Sequence, residues 1–600
     1  MNIVTRVERR TSVRDQARYI LKRVADGLLR EDYRGLARDG ELLEVADVPF
    51  FGSIIANATH YIRWNAPDES KLYLPVERDG FMHGWRIAAL PLVRIARQTM
   101  RPVDSVTELL EILGAGLGAE DCANITAYLA ECQAAIEHGA LCADAHGRAS
   151  PADARIADHP QWHRAMLDND RLASFADHPF YPTARAKLGF DAHDLIAYGP
   201  EYRKGFRLAW FALPVEGLAA QGRRPAVWPS FKDVGLDPTL ASTHALLPFH
   251  PFMRGERIEH VLGEAGLTAT AHVAPADYLD VVPTLSVRAV AVVDEPGLHL
   301  KLPLAISTLG RLNLRAIKPS TINDGHIVQS LLSDLVAADP AIDGRLLLTD
   351  ESGGACHSNH RFLSYIVRRY PADLDGAEPV PVAALMAPMG DRRPYAVHLV
   401  DRYYEGDTEV FLAAFFDLLL GIHLRLAARY GIALEANQQN SILLFDRRAG
   451  LRLLLKDNDG PRIDGPALRD ACPRVAHWIG RLQDERIAAA DADAVAQMLI
   501  TITIQLNIGF VVEGLGRNAG KLPHYRHMLR AAVERHLDIL AGEGIAIAAL
   551  RTALLESPHF PIKYLLRAAS LETRTATGAV DVNKFYGRSA PNFLTAPARP

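Results

Sequence analysis

Residues 283–307 read PTLSVRAVAVVDEPGLHLKLPLAIS, two β-rich runs (283–293 and 298–307) flanking Asp294-Glu295-Pro296-Gly297. Small and β-branched apolar residues favour extended backbone and the Pro-Gly tetrad favours a turn, so the segment predicts an antiparallel hairpin. Symmetric pairing about the tetrad sets Val290 opposite Lys301. Alternation of side chains then places Ser286, Arg288 and Lys301 on one face, and a slip of one residue would move Lys301 to the other. A second hairpin joins SILLF (441–445) to LRLLLKD (451–457) through Asp446-Arg447-Arg448-Ala449-Gly450. The hairpin is expected to set Asn440 opposite Asp457, the polar ends of an apolar ribbon and a corner suited to a metal or a phosphate.

Around these hairpins the chain changes character. Residues 1–150 read mainly helical, with apolar residues at three- and four-residue intervals over 13–38 and 104–139. A loop follows at HGRASPADARIADHP (146–160). Short strands punctuated by proline and glycine fill roughly 195–310, among them FRLAWFALPV (206–215), and from about 395 helices return around the second hairpin. Strands and helices do not alternate regularly, so the expected class is α+β rather than a doubly wound parallel sheet.

The 600 residues are 49% hydrophobic and 23% charged, an ordinary globular composition. Acidic residues outnumber basic ones, 71 to 66, for a net charge of -5. That excludes a protein that coats nucleic acid and leaves room for a local basic pocket. Lysine occurs only 11 times, which makes each lysine inside a motif informative. The five cysteines form no CxxC pair, and their odd number argues against a disulfide framework. No apolar leader opens the sequence. The run Val410–Leu424 is interrupted by Asp417 and His423 and reads as a buried helix, so a soluble cytoplasmic protein without a membrane partner is expected.

Walker, GxSxG, HExxH and paired CxxC patterns are absent. What stands out is polar residues in apolar surroundings. Glu435-Ala436-Asn437-Gln438-Gln439-Asn440 enters a buried strand, where its side chains must be hydrogen-bonded or functional. Asp457 ends the run Leu453-Leu454-Leu455-Lys456, as a ligand for a hard cation often does. Ser286, Arg288, Lys301, Arg311 and Arg315 together would hold phosphate or carboxylate. The segment Asp177–Phe190, DHPFYPTARAKLGF, carries two prolines that forbid a helix and reads as a loop presenting His178, Arg185 and Lys187. Lys563 and Arg567 lie four apart on a stretch that reads as helical.

In order and content these segments resemble the NRPS-independent siderophore synthetases, the aerobactin synthetase-like IucA/IucC family. The resemblance rests on HPFYPTARAKLGF, LPFHPF (with His250), PTLSVRAV, KLPLAIS…NLRAIKPSTINDG, EANQQN, LKDNDG, IKYLLR and APNFL, all in that order from about residue 175 onward. The chain departs from the family pattern at Tyr181 and Asn437, where the family has histidines. It also differs at Ala289, where the family has threonine, and at Arg185 and Lys187, whose order is exchanged.

The resemblance implies an enzyme that uses ATP and Mg²⁺ to adenylate a carboxylate of citrate or a related acid. An amine or alcohol would then capture the acyl group, with release of AMP and pyrophosphate. It implies that His178, Ser286, Arg288, Lys301, Gln439 and Asn440 bind ATP and that Glu435 and Asp457 hold Mg²⁺. Arg315, preferred to Arg311, would contact the carboxylate substrate with Asn437 and Lys563. It further implies a thumb, fingers and palm, mapped to 1–150, 151–390 and 391–600, and a homodimer, which is common in the family. A non-catalytic citrate- or siderophore-binding relative and an unrelated cytoplasmic ATP-dependent ligase or kinase are the competing readings.

Overall fold

The computed structural model describes residues 3–50, 52, 56–147, 161–572 and 586–595. The loop expected at 146–160 lies, from residue 148 on, outside the described residues. The first helix, Ile3–Arg30, is followed by a six-stranded antiparallel sheet built from Glu41–Glu44, His60–Asn65, Lys71–Arg78, Trp85–Ile87, Leu92–Ala96 and Thr99–Val103. Helices Val106–Gly114 and Ala119–Gly147 close this region. The stretches expected to be helical, 13–38 and 104–139, lie largely in helices, and the six-stranded sheet between them is what the sequence reading lacks. In Lys71–Arg78 both faces are covered: Leu72, Leu74 and Val76 pack toward the helices, while Tyr73 packs with Phe50 and Tyr61 on the other side. A strand buried on both faces loses the alternation by which strands are recognised.

The middle of the chain forms a nine-stranded sheet. Ala289–Val292 and Leu298–Lys301 lie near its centre, between Tyr278–Pro283 on one side and Ser364–Arg369 on the other. Strand Asp350–His357 packs tightly beside Ser364–Arg369: a Cβ on Gly354 would lie 2.5 Å from the Tyr365 carbonyl oxygen, so no larger residue fits there.

Helix Pro319–Ala338 leads from this sheet to a third layer. There Leu346–Leu348, Gly450–Leu455, Ser441–Asp446 and Glu378–Pro381 form a four-stranded sheet, whose first pair is parallel. Helix Thr408–Tyr430 packs in the same core, capped by the Asp407 carboxylate at its start and by Gly431 (φ 63°) at its end. Phe411, Phe415 and Phe416 are buried there, each stabilising the fold by roughly 1.5–3 kcal/mol. This helix and Ala492–Ala519 are long and apolar enough to cross a membrane, yet 72% and 89% of their apolar windows are buried inside the protein. Among the described residues, helices and sheets of six, nine and four strands make the fold a mixture of helix and strand.

Candidate active site

Both hairpins form; the first pairs one residue away from the symmetric register, and the second pairs symmetrically about 446–450. In the first, Ala289 rather than Val290 lies opposite Lys301. The turn closes with Leu298 N–H donating to the Glu295 carbonyl, and Val293 N–H donates across to Asp280 instead of to the returning strand. The strand also ends sooner than expected: Thr284–Arg288 is a turn with Val287 at φ 65°, so strand alternation does not place Ser286 and Arg288. Ser286 Oγ accepts the Ala289 N–H at 3.1 Å, and Arg288 Nη1 donates to the Ala316 carbonyl at 2.7 Å. In the second hairpin Ser441 faces Leu455, so Asn440 lies opposite Lys456 and not Asp457; Lys456 N–H donates to the Asn440 carbonyl. Asp457 follows in a left-handed conformation (φ 56°), which aspartate tolerates.

These turns bring the two hairpins together. Lys301 Nζ lies 2.5 Å from Asp457 Oδ1 and 3.6 Å from Asp459 Oδ2. The buried Arg368 donates to Glu351 Oε1 at 2.8 Å and reaches Asp457 Oδ1 at 2.8 Å, while Asp457 N–H donates to Glu351. Burial opposes ionisation of Asp457, but Arg368 and Lys301 hold it well below the usual carboxylate range. Burial also lowers the pKa of Arg288, against the pull of Asp457 and Asp459. Arg315, buried and beside Arg288, is drawn down to about 9 and is still a cation at neutral pH. Its Nε donates to Thr308 Oγ1. Arg311 is exposed and bonds Asn124 outside this cluster. Arg288, Lys301, Arg315, Arg368 and Lys456 thus face Asp457, Asp459 and Glu351, a surplus of positive charge in a desolvated place.

The Glu435–Asn440 segment is a turn against this cluster. Asn437 Oδ1 accepts N–H bonds from Gln439 and Asn440, both 3.0 Å, and Asn440 Nδ2 donates to the Glu435 carbonyl. A Cβ on Gly460 would lie 3.6 Å from Glu435 Oε2, so the Glu435 carboxylate sits on the 457–460 turn. Among the described residues no three His, Cys, Asp or Glu side chains form a metal cage. Asn507 was missed by the sequence reading: buried in the π-helical run Leu499–Gly509, it donates to the Ala436 carbonyl and to Ser441 Oγ, both at 2.9 Å. The signal available was its place, with Gln505, in the otherwise apolar ITITIQLN (500–507).

The Asp177–Phe190 segment is non-helical, but it does not present the three residues expected of it. Arg185 pairs with Asp177 at 3.0 Å and Lys187 with the buried Glu201 at 3.1 Å, so both cations are spent within the fold. His178 Nδ1 accepts the Phe180 and Tyr181 N–H groups, and burial, reinforced by Arg23, Arg30 and Lys563, lowers its pKa to about 3. Tyr181 is buried and donates to Glu131 at 2.7 Å. His250 caps the turn after its strand, also buried and neutral. Lys563 is on the strand His559–Lys563, paired with Tyr586–Pro591, and not on a helix; Pro561 opposes a helix and the β-branched Ile562 favours extended backbone. A cleft of about 780 Å³, lined by Glu264, Lys318, Ser320, His360, Arg361 and Gln483, opens two residues beyond the Ala316 carbonyl that Arg288 holds.

The IucA/IucC family model matches residues 170–387, and the model described as a ferric iron reductase FhuF-like transporter matches 409–579. Protein y4xN of Sinorhizobium fredii is 32% identical over 49% of this chain and 51% of its own length. The chain thus spans about half the length of that relative. Staphyloferrin B synthase of Staphylococcus aureus is 22% identical over 68% of this chain and 73% of its own. The fold is that of ATP-bound aerobactin synthetase IucA from Klebsiella pneumoniae, with a TM-score of 0.67, 17% identity and coverage of 96% and 99% of the two chains. Of the cationic cluster, Arg288, Lys301, Arg315 and Arg368 fall within the segment 170–387 that matches the IucA/IucC family model, and the 435–440 turn falls within the segment matched by the second model.

Proposed function

We propose that this chain is a siderophore synthetase, an ATP- and Mg²⁺-dependent ligase that joins a carboxylate of citrate or a related acid to an amine or alcohol. The observation that carries the reading is the cluster of buried and half-buried cations around Lys301 and Asp457. Buried charge without a counterion is costly, and a polyphosphate together with a polycarboxylate supplies the missing negative charge. The named activities of relatives agree with this chemistry: one is a citryl-spermidine:spermidine ligase and another a D-ornithine–citrate ligase.

The residues present fit the expected groups. Arg288, Lys301 and His178 are assigned to ATP phosphates, with Ser286 in the Arg288 turn and Gln439 and Asn440 in the 435–440 turn. Asp457 and Glu435, on facing turns, would hold Mg²⁺, which is commonly bound by one or two carboxylates plus phosphate oxygens. The carboxylate would bond the α-phosphorus of ATP as pyrophosphate leaves, and the amine or alcohol would then bond the acyl carbon as AMP leaves. Arg315 and Lys563 would hold the acid, and the Asn437 amide nitrogen remains available to it. Acceleration would come from positioning and charge neutralisation, because no protein nucleophile is required. A thumb, fingers and palm at 1–150, 151–390 and 391–600, a homodimer and a cytoplasmic location belong to the same proposal.

Pyrophosphate and AMP release by the purified chain, with citrate and a panel of diamines and amino alcohols, tests it. Acid-dependent pyrophosphate release is expected. ADP as the product, or no turnover with any acid, would remove the reading.

A further inference from the structure

The residues assigned above to substrate stand on two segments far apart in sequence, the His178 loop and the end of strand His559–Lys563. Both rest on the C-terminal end of the first helix. Arg23 Nη2 donates to the His178 and Tyr181 carbonyls at 2.6 and 2.7 Å, and its Nε donates to Pro182 at 3.2 Å. Arg30 donates to the Phe180 carbonyl at 3.0 Å and to Glu31 at 3.2 Å. Glu31, fully buried, then receives the chain that follows Lys563. Its Oε1 accepts the Leu565 and Leu566 N–H groups at 3.0 Å, its Oε2 accepts Arg567 N–H at 2.8 Å, and its carbonyl accepts Arg567 Nη1 at 3.1 Å.

Arg23, Gly27, Arg30 and Glu31 recur at helical spacing and so share one face. A Cβ on Gly27 would lie 3.0 Å from Pro182 Cγ, so the helix meets the loop backbone closely there. A buried carboxylate needs this many donors to be tolerated, but they need not come from a segment adjoining a site. Here they come from residues two to four positions beyond Lys563.

We propose that this face is a positioning device: Glu31 sets the turn that aims Lys563, and Arg23 with Arg30 sets the loop that carries His178. The inference rests on the functional reading above. It adds that acid and nucleotide are held through separate contacts of one helix. Glu31 and Arg23 touch neither ligand; they act through the backbone of the residues that do.

Two variants of the full-length protein test this by moving different constants. Glu31→Gln keeps the side chain's shape but turns an amide N–H₂ toward backbone donors. It is expected to raise the KM for the acid tenfold or more and leave that for ATP within twofold. Arg23→Lys keeps the charge but cannot span three carbonyls, so it should raise the KM for ATP at least fivefold and leave that for the acid within twofold. Hydrogen exchange should quicken at 565–567 in the first variant and at 178–182 in the second. Parallel changes in both constants, or unchanged constants despite faster exchange, would overturn the proposal. If Glu31→Gln does not fold, the Arg23→Lys split decides it. If the wild-type chain releases no pyrophosphate, the functional reading fails by itself. The exchange pattern then still decides the clasp, and unaltered protection at 565–567 in Glu31→Gln would refute it.

Discussion

Lys301 Nζ lies 2.5 Å from Asp457 Oδ1, an ion pair that joins two hairpins 156 residues apart. Lys301 is buried in the middle sheet, and Asp457 belongs to a turn at the end of the four-stranded sheet. Arg368 binds the same carboxylate oxygen, so one acid serves two buried cations. Asp459 also lies near Lys301 and Glu351 pairs with Arg368, so Asp457 is the shared member of a wider charge network, and that decides what each substitution should do.

Asp457→Asn removes a charge whose Oδ1 lies within 3 Å of both cations. Breaking a buried pair from one side costs about 3 kcal/mol, and chemical denaturation should show a loss of that order. If Asp457 also holds Mg²⁺, the variant's activity should require more Mg²⁺ for half-saturation. A metal titration curve that superimposes on the wild type would dissociate the two roles and restrict Asp457 to the ion pair.

Arg315 and Arg311 separate by position. Arg315→Ala removes a cation that interacts electrostatically with Arg288 and Asp457 and should cost roughly 1.5–3 kcal/mol in acid-dependent turnover, one to two decades. Arg311→Ala, on an exposed side chain bonded to Asn124, should change turnover less than twofold. Steady-state kinetics on both variants checks the contrast, and equal losses would contradict it. Arg288→Ala is expected to behave like Arg315→Ala, with the loss expressed in ATP dependence.

Asn507→Ala deletes two buried hydrogen bonds that anchor the strand-entry turn. The Ala436 carbonyl and Ser441 hydroxyl would lose a donor, at a cost of about 1–3 kcal/mol in stability. Since those bonds bracket residues 437–440, nucleotide affinity should weaken as well. A fluorescent ATP analogue reports it, and unaltered affinity in a destabilised protein would mean that the turn holds its shape without Asn507.

Acid should destabilise the fold through buried neutral histidines. Burial lowers His178 and His250 to about 3 and His423 to about 4, whereas an unfolded histidine titrates near 6.5. Below about 6.5 the unfolded chain therefore binds more protons than the native one, and stability falls as pH drops toward 4. Each such group contributes about 1.4 kcal/mol per pH unit within that window. Proton uptake on unfolding at pH 5 should approach one per buried histidine, and a flat stability profile between pH 4 and 6.5 would contradict it.

Several features of the site were legible in the chain because their chemistry is local. An ionised residue closing an apolar strand, as Lys301 and Asp457 do, cannot be left without a partner, so its presence announces a cluster. The Glu435–Asn440 turn was visible for the same reason. The register of the first hairpin was not, because Val293 bonds the neighbouring strand, a competitor outside the hairpin. The sheet at 41–103 escaped notice because burial on both faces erased its alternation. Lys563 was read on a helix although its strand is completed by Tyr586–Pro591, well beyond the window in which periodicity is read.

By itself the sequence determined which residue types occur together, in which order, and therefore the α+β class and the family resemblance. Those properties depend on neighbours within about ten residues. Tertiary structure alone decided that Arg185 and Lys187 are consumed by Asp177 and Glu201, that Arg315 and not Arg311 joins the cluster, and that Glu31 receives the backbone beyond Lys563. Each depends on which distant charge or carbonyl comes within about 3 Å. Packing of whole layers sets that distance, and no local pattern of side chains encodes it.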